Sequence, residues 1–324
     1  MTPLDILTSP FIQLFILGLI AGLFKSDLEL PEDFTKAISL YLMLAIGLKA
    51  GTVIHSSDVN GLFLSKVIMV GVFTGFTIPF IGYYILHRLN KIDILNSSNI
   101  AAHYGSISVV TFSYALSFLE TNAITYSAFM IALMAIMESP GIIAGLILAN
   151  RSRRLSNKSK NQSFSFDFLR EVLFNSSVVL LVGGMIIGYF SPEQQIKIIK
   201  PYLIEPFYGI LCLFLLDMGL LVAKYSHSLS HVKRRVFLFG IYMPIICFAL
   251  SLIVGKLVGL SKGDALLFSA LCASSSYIAV PAAMKIALPN ANHSLSITLS
   301  LAVTFTFNII FGIPLYYWII GLIF

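Results

Sequence analysis

Two hydroxyl-rich stretches carry the residue types best suited to binding a small ion. Each contains a Ser-x-Ser step inside a segment that is otherwise apolar enough to lie in a membrane. The stretches are 102–111, with Ser106, Ser108 and Thr111, and 272–281, with Ser274, Ser275 and Ser276. A lipid-facing helix gains nothing from such a run, because hydroxyls need a partner or water. Since a hydroxyl can donate a hydrogen bond to an oxyanion, and its oxygen can coordinate a desolvated Na⁺, these stretches are the first candidates for a binding site.

Three further polar residues lie deep in apolar segments: Glu138, Asp217 and Asn308. A carboxylate at membrane depth costs about 2.5–3.5 kcal/mol, so it should face protein or a hydrated cavity. Glu138 and Asp217 are candidates to bind a coupling cation or carry a proton, and Asn308 needs hydrogen-bond partners. The alternative for the carboxylates is a structural pair with a hydroxyl or with Lys49. The alternative for the serines is packing between helices.

Composition restricts the fold class to a membrane protein. The 324 residues are 57% hydrophobic and 11% charged, with a mean hydropathy of +0.90. Apolar runs are continuous over about 20 residues, which is typical of membrane helices and not of barrel strands. The net charge of +6 fits basic residues gathered between spans better than a nucleic-acid surface. The sequence therefore predicts an all-α polytopic membrane protein in contact with lipid.

Ten membrane spans are predicted. They run roughly over 9–24, 34–54, 65–87, 98–118, 124–149, 170–190, 203–224, 235–258, 264–285 and 293–322. Lysine and arginine are enriched in the segments that are cytoplasmic when both termini lie outside, so we expect that orientation. Because no basic segment precedes the first apolar run, we expect it to stay as a span. Tyr316, Tyr317 and Trp318 are a predicted anchor at the outer membrane interface.

The two halves of the chain resemble each other at a nearly constant offset. The segment 18–24 resembles 184–190, and 41–48 resembles 213–220, so the offset stays between 166 and 172 residues. Glu138 falls near Asn308 in the same comparison. The sequence therefore predicts a first repeat over 1–150, a cytoplasmic linker over 151–169 and a second repeat over 170–324.

An odd number of spans per repeat places the second repeat in the membrane with inverted orientation. Inverted five-plus-five repeats are typical of secondary transporters, whose substrate site lies where broken helices meet near the midplane. If spans four and nine are interrupted near their serines, helix N-termini can point at an anion. Pro281 favours such a break in span nine. His103, just before the first serine step, is read as a hydrogen-bonded lining residue more readily than as a proton relay.

No catalytic motif accompanies these features. The sequence has no G-x-S-x-G, no H-E-x-x-H and no phosphate-binding glycine loop, so we expect no enzyme activity and no organic cofactor. The histidines show no pattern expected of a metal site.

The chain resembles the sodium-dependent bicarbonate transporter (SbtA) family over nearly its whole length. The matching motifs are Leu30-Pro31-Glu32, Ala45-Ile-Gly-Leu-Lys-Ala-Gly51, Tyr104-Gly-Ser-Ile-Ser-Val-Val-Thr111, Ala123-Ile-Thr-Tyr-Ser127, Met137-Glu-Ser-Pro140 with Ala149-Asn150, and Ala273-Ser-Ser-Ser276 followed by Leu288-Pro-Asn-Ala-Asn292. The resemblance implies a core domain that moves against a gate domain, a homotrimer in the bacterial inner membrane, and Na⁺-coupled import of bicarbonate. It also implies regulation by a PII-like cytoplasmic protein.

Carried across by position, the family's site falls on Ser106, Ser108 and Thr111 in span four and on Ser274, Ser275 and Ser276 in span nine. We expect the coupling ion near Ser108, Glu138, Asp217 and Asn308, and no metal other than Na⁺. The sequence differs from cyanobacterial members at Val109-Val110, where they have Gly-Ser, and at Tyr277, where they have Asp. Its central loop is also shorter. A small organic carboxylate, proton coupling and a transport-inactive membrane sensor are therefore the alternative interpretations.

Overall fold

The computed structural model describes residues 8–55, 61–155 and 176–324, and all regular elements in these ranges are helical. In chain order the α-helices are α1 Pro10–Leu23, α2 Glu32–His55, α3 Gly61–Tyr84, α4 Ile94–Gly105, α5 Val109–Thr121, α6 Phe129–Leu155, α7 Ser176–Phe190, α8 Glu193–Leu203, α9 Phe207–Ser226, α10 Arg234–Val258, α11 Lys262–Cys272, α12 Ala279–Ala287, α13 His293–Thr298 and α14 Ile313–Ile323. Most of the predicted linker, including the segment expected to dock a regulator, lies outside the described residues.

Short non-α turns complete these helices. A π-helical turn, Ile85–Leu89, extends α3, and a 3₁₀ turn, His227–His231, follows α9. Two π-helical segments, Leu299–Phe305 and Asn308–Gly312, join α13 to α14 without a gap. The last span is therefore one continuous helical rod, as the sequence predicts.

Six of the described helical segments are long and apolar enough to cross a membrane. They are Glu32–His55, Gly61–Leu89, Phe129–Ser152, Glu193–Leu229, Arg234–Val258 and His293–Ile323. Of the remaining predicted spans, the first and sixth are shorter apolar helices, α1 and α7. The fourth and ninth are each divided into two half-helices, α4–α5 and α11–α12. The chain is a polytopic, all-helical membrane protein.

One interval between the predicted spans is not a loop. The residues between the sixth and seventh predicted spans, 191–202, contain most of α8. This helix is amphipathic: Ile196 is buried, whereas the charged side chains of Glu193 and Lys197 are exposed and form an ion pair at 2.8 Å. It was missed because eleven residues with several charges are too short and too polar to predict a span.

The two helix breaks occur at the serine steps, which confirms the predicted interruption. Helix α4 ends at Gly105 and α5 begins at Val109, so the first break is Ser106–Ser108. Helix α11 ends at Cys272 and α12 begins at Ala279, so the second break is the longer segment Ala273–Ile278. Pro281 lies in the first turn of α12, where its missing N–H costs no helical hydrogen bond.

Two helix pairs cross by close backbone contact at glycines. A Cβ added to Gly18 of α1 would collide with the carbonyl oxygen of Leu216 on α9, and one added to Gly184 of α7 would lie 2.9 Å from the carbonyl oxygen of Leu44 on α2. In each pair the partner helix also contributes a glycine, which contacts backbone in return; these are Gly219 on α9 and Gly47 on α2. Only residues without a side chain permit backbones to approach this closely.

Packing divides the helices into two groups. Helices α1, α2, α7 and α9 pack mainly on one another, whereas α3, α4 and α6 form one cluster with α10, α11 and the last span nearby. The two breaks lie in the second group and face α2 of the first. The site described below therefore lies where the groups meet.

Candidate functional site

A cleft at the crossing of the two breaks brings together three of the predicted site residues, Ser108, Glu138 and Ser276. It contains about 380 Å³ of empty space, including its open mouth. It is lined by Ser39 and Met43 of α2, residues 107–110 of the first break and α5, Glu138 of α6, and residues 276–278 of the second break. Among the described residues that line it, none carries a positive charge.

The N-termini of two half-helices border this cleft. Helix α5 begins immediately after Ser108, whose Oγ accepts the N–H of Thr111 at 3.3 Å. Helix α12 begins after Ile278, and no side chain caps it. The first N–H groups of a helix have no partner within it and carry partial positive charge. Both ends can therefore attract an anion without a basic side chain.

The two breaks are joined by hydrogen bonds at their crossing. The N–H of Ser276 donates to the carbonyl oxygen of His103 at 2.8 Å. In the opposite direction, the N–H of Ser108 donates to Ser274 Oγ at 2.8 Å, and that hydroxyl donates to the carbonyl oxygen of Leu271 at 2.9 Å. One contact is direct and the other passes through a hydroxyl.

Ser106 has a different environment from Ser274, its counterpart in the repeat. Its side chain is buried, and its Oγ has no hydrogen-bond partner among the described residues. The backbone of α6 packs on this break, because a Cβ added to Gly141 would collide with the carbonyl oxygen of Gly105. Glu138 lies one turn before Gly141 on the same helix and reaches the cleft. The unpaired Ser106 hydroxyl and the Glu138 carboxylate thus lie on either side of the contact between Gly141 of α6 and Gly105.

The other two polar residues predicted for the coupling ion have structural partners. Asp217 is buried, accepts a 2.8 Å hydrogen bond from the Thr35 hydroxyl and does not line the cleft. Asn308 donates through Nδ2 to the carbonyl oxygen of Ala273 at 2.9 Å and accepts from the Tyr316 hydroxyl at 3.0 Å. It supports the second break from behind. Tyr316 is fully buried, so the prediction of an interfacial anchor is wrong for this residue.

Lys49, considered as a partner for the buried carboxylates, bonds elsewhere. Its Nζ lies 2.6 Å from Glu120 at the end of α5. The hydroxyls of Tyr126 and Tyr208 donate to the same carboxylate. This cluster joins α2 and α9 to the end of α5, remote from the cleft along both α2 and α5.

The remaining predicted residues lie behind the cleft surface. Thr111 Oγ1 donates to Ser108 Oγ at 3.1 Å. Ser275 Oγ lies 2.8 Å from Ser300 Oγ and 3.2 Å from the carbonyl oxygen of His103. Both side chains hold the breaks in shape and are buried away from the open space.

Two polar residues of the cleft, Tyr277 and Ser39, were not predicted as site residues. Tyr277 projects a buried phenolic oxygen that has no hydrogen-bond partner in the described part of the chain, and its ring packs edge-on against Phe305 at 5.4 Å. In the sequence analysis Tyr277 appears only as a position that differs from the cyanobacterial members of the resembled family. Ser39 lies on an ordinary apolar helix, α2, where no local signal distinguishes it.

Comparison with family models gives a match over nearly the whole chain. The family model of the Na⁺-dependent bicarbonate transporter superfamily matches residues 10–321. A search of curated proteins finds no match.

Proposed function

Because the chain belongs to the Na⁺-dependent bicarbonate transporter superfamily, we propose that it imports bicarbonate or a similar small anion by symport with Na⁺. The family match supports a membrane transporter, and the six long apolar helices agree with it. The hydroxyl left unused at Ser106, next to the helix that carries Glu138, is the observation that best supports a site for the cation.

The proposed architecture has ten spans in two inverted repeats, 1–150 and 170–324. It is supported by the two glycine crossings, in which the glycines of α1 and α7 are offset by 166 residues and their contacts Leu216 and Leu44 by 172. It is also supported by the crossing hydrogen bonds, because Ser276 with His103 and Ser108 with Leu271 keep one offset of 168. Five spans per repeat then invert the second half.

The anion is proposed to lie in the cleft between the N-termini of α5 and α12. Their first-turn N–H groups supply positive potential. The hydroxyls of Ser108, Ser276 and Tyr277 supply hydrogen-bond donors at the cleft wall. Bicarbonate offers oxygen acceptors on three sides, so a ring of neutral donors suits it.

Na⁺ is proposed to lie at the first break, between Ser106 Oγ and the Glu138 carboxylate. The half-helix α4 ends there, and helix C-termini carry partial negative charge. A cation at this position offsets the charge of Glu138, which otherwise repels an anion in the same cleft. Each ion therefore raises the affinity of the other, and this reciprocal coupling is what symport requires.

Uptake into liposomes tests the proposal. Liposomes that contain the protein would receive labelled bicarbonate on the outside, at fixed membrane potential. One arm has an inward Na⁺ gradient at equal pH, a second has choline in place of Na⁺, and a third has an inward proton gradient without Na⁺. We expect labelled bicarbonate to accumulate inside the liposomes with the Na⁺ gradient and not with the choline gradient. Uptake that is indifferent to Na⁺ but follows a pH gradient would favour proton coupling. Na⁺-driven uptake of acetate or lactate that excludes bicarbonate would identify a carboxylate symporter, and no uptake of any anion would favour a sensor.

A further inference from the structure

A row of polar side chains lies between α4 and the first part of the last span, outside the cleft. It consists of Asn96, Asn99 and His103 on one side and Asn292, Ser296 and Ser300 on the other. The N–H of Asn292 donates to Asn96 Oδ1 at 2.7 Å at the exposed end. Ser300 meets Ser275 at the inner end. The row thus connects a protein surface to the second break.

Asn99, in the middle of this row, has one amide atom without a partner. Its Nδ2 donates to Ser296 Oγ at 3.0 Å. Ser296 Oγ in turn donates to the carbonyl oxygen of His293 at 3.0 Å, so toward Asn99 it can only accept. This fixes the amide orientation. Asn99 Oδ1 is therefore an acceptor, fully buried and unpaired among the described residues.

His103 presents a second unpaired acceptor. Its Nδ1 lies 2.8 Å from the carbonyl oxygen of Ser276, which can only accept, so Nδ1 carries the hydrogen. In the neutral imidazole the other nitrogen, Nε2, is then a bare lone pair. His103 is fully buried, and Nε2 has no partner in the part of the chain that the structure describes.

Asn99 and His103 are four residues apart on α4 and therefore share one face, with Cβ atoms roughly 5–6 Å apart. A buried acceptor without a partner is unfavourable, because it has lost its hydrogen bonds to water. His103 lies in the last turn of α4, where the helix carries partial negative charge. Such a pair of acceptors excludes an anion and fits a ligand that brings positive charge together with hydrogen-bond donors.

We propose that Asn99 Oδ1 and His103 Nε2, the acceptor pair, form a second Na⁺ site that is separate from the cleft. The amide oxygen ligates the ion, and the imidazole nitrogen accepts a hydrogen bond from a water molecule in the ion's shell. His103 also joins the second break through two backbone contacts with Ser276. Occupancy of the acceptor pair therefore stiffens the peptide that borders the proposed anion site.

Binding of Na⁺ alone, without substrate, tests this site. The full-length purified protein would be dialysed to equilibrium against radioactive Na⁺, with choline replacing Na⁺ to hold the ionic strength. We expect Glu138→Gln to abolish binding in the cleft and to retain binding at the acceptor pair. Adding Asn99→Ala should remove the remainder. Equal Na⁺ binding by Glu138→Gln with and without Asn99→Ala would overturn the proposal, as would no binding at all by Glu138→Gln.

A gain-of-binding variant covers the case in which Asn99→Ala fails to fold. Asn99→Asp places a carboxylate at the acceptor pair, and we expect it to tighten Na⁺ binding about tenfold, since one ion pair at low dielectric contributes more than 1.4 kcal/mol. Unchanged affinity in a folded Asn99→Asp protein contradicts the site. Because substrate is absent, these outcomes are independent of whether the protein transports bicarbonate.

Discussion

The first break, Ser106–Ser108, and the second, Ala273–Ile278, bind each other through equivalent backbone groups but in different ways. The longer second break brings the Ser276 N–H directly to the His103 carbonyl oxygen. The shorter first break leaves its Ser108 N–H bonded to Ser274 Oγ, which relays the contact to Leu271. The hydrogen-bonding capacity of Ser274 Oγ is thus used within the crossing. Its counterpart in the first break, Ser106 Oγ, has no partner among the described residues.

The side chains that support the two breaks differ in the same sense. Asn308 donates an amide hydrogen to the Ala273 carbonyl oxygen of the second break. Its counterpart Glu138 is a carboxylate, which cannot donate when ionised. The first break therefore meets an acceptor side chain where the second meets a donor, and its Ser106 Oγ has no partner among the described residues. The two breaks are related by the repeat but differ in their hydrogen bonds, and for this reason we propose that the cation binds at the first break.

The largest expected effect comes from removing the charge at the first break. Glu138→Gln keeps the volume of the side chain, and we expect Na⁺-driven uptake to fall about 100-fold, because a buried charge partner contributes about 3 kcal/mol. Initial uptake rates in liposomes measure this. Asp217→Asn is the matched control, since Asp217 bonds to Thr35 and lies outside the cleft. Equal losses in both variants would show that the comparison of the breaks does not locate the cation.

Removing the bridging hydroxyl should destabilise the fold. Ser274→Ala leaves the Ser108 N–H and the Leu271 carbonyl oxygen unpaired in a buried setting, so we expect a loss of about 2 kcal/mol in stability. Thermal unfolding in detergent measures it as a lower Tm. An unchanged Tm would mean that the relay through Ser274 is replaceable, for instance by water. Ser113→Ala is a suitable control, because Ser113 Oγ is buried without a partner among the described residues.

Tyr277 offers a test at the anion side. Its hydroxyl has no partner of standard hydrogen-bond geometry among the described residues, so Tyr277→Phe should change the Tm little. If the hydroxyl donates to the anion, we expect the KM for bicarbonate to rise about tenfold, since a hydrogen bond to a charged group contributes about 1.5 kcal/mol or more. An unaltered KM would show that the Tyr277 hydroxyl does not bind the anion. The residue would then have only the structural role of its ring, which packs on Phe305.

Much of the fold was predictable because membrane burial imposes strong rules on sequence. Apolar runs predicted the long helices, and the Ser-x-Ser steps together with Pro281 predicted the two breaks. The helix α8 was not predictable as an element, because a short amphipathic helix has no hydropathy signal of its own. The homotrimer, the PII-like regulator and the outward position of both termini stay predictions.

The site was predictable in outline and not in detail. Every hydroxyl of the two clusters looked equivalent in the sequence, yet Ser274 is a bridge, Thr111 supports Ser108, and Ser106 is unused. These roles depend on the different lengths of the two breaks, which local sequence does not encode. Likewise Asp217 and Glu138 are both buried carboxylates in apolar spans, and only tertiary packing decides which of them reaches the cleft.

The most direct test of the comparison measures Na⁺ affinity and stability together in Ser106→Ala and Ser274→Ala. We expect Ser106→Ala to keep the wild-type Tm, because no hydrogen bond within the described protein is lost. We also expect the Na⁺ concentration that gives half-maximal uptake to rise about fivefold, because one ligand contributes about 1 kcal/mol. We expect Ser274→Ala to lower the Tm instead. A Ser106→Ala protein with wild-type Na⁺ dependence would contradict the placement of the cation at the first break.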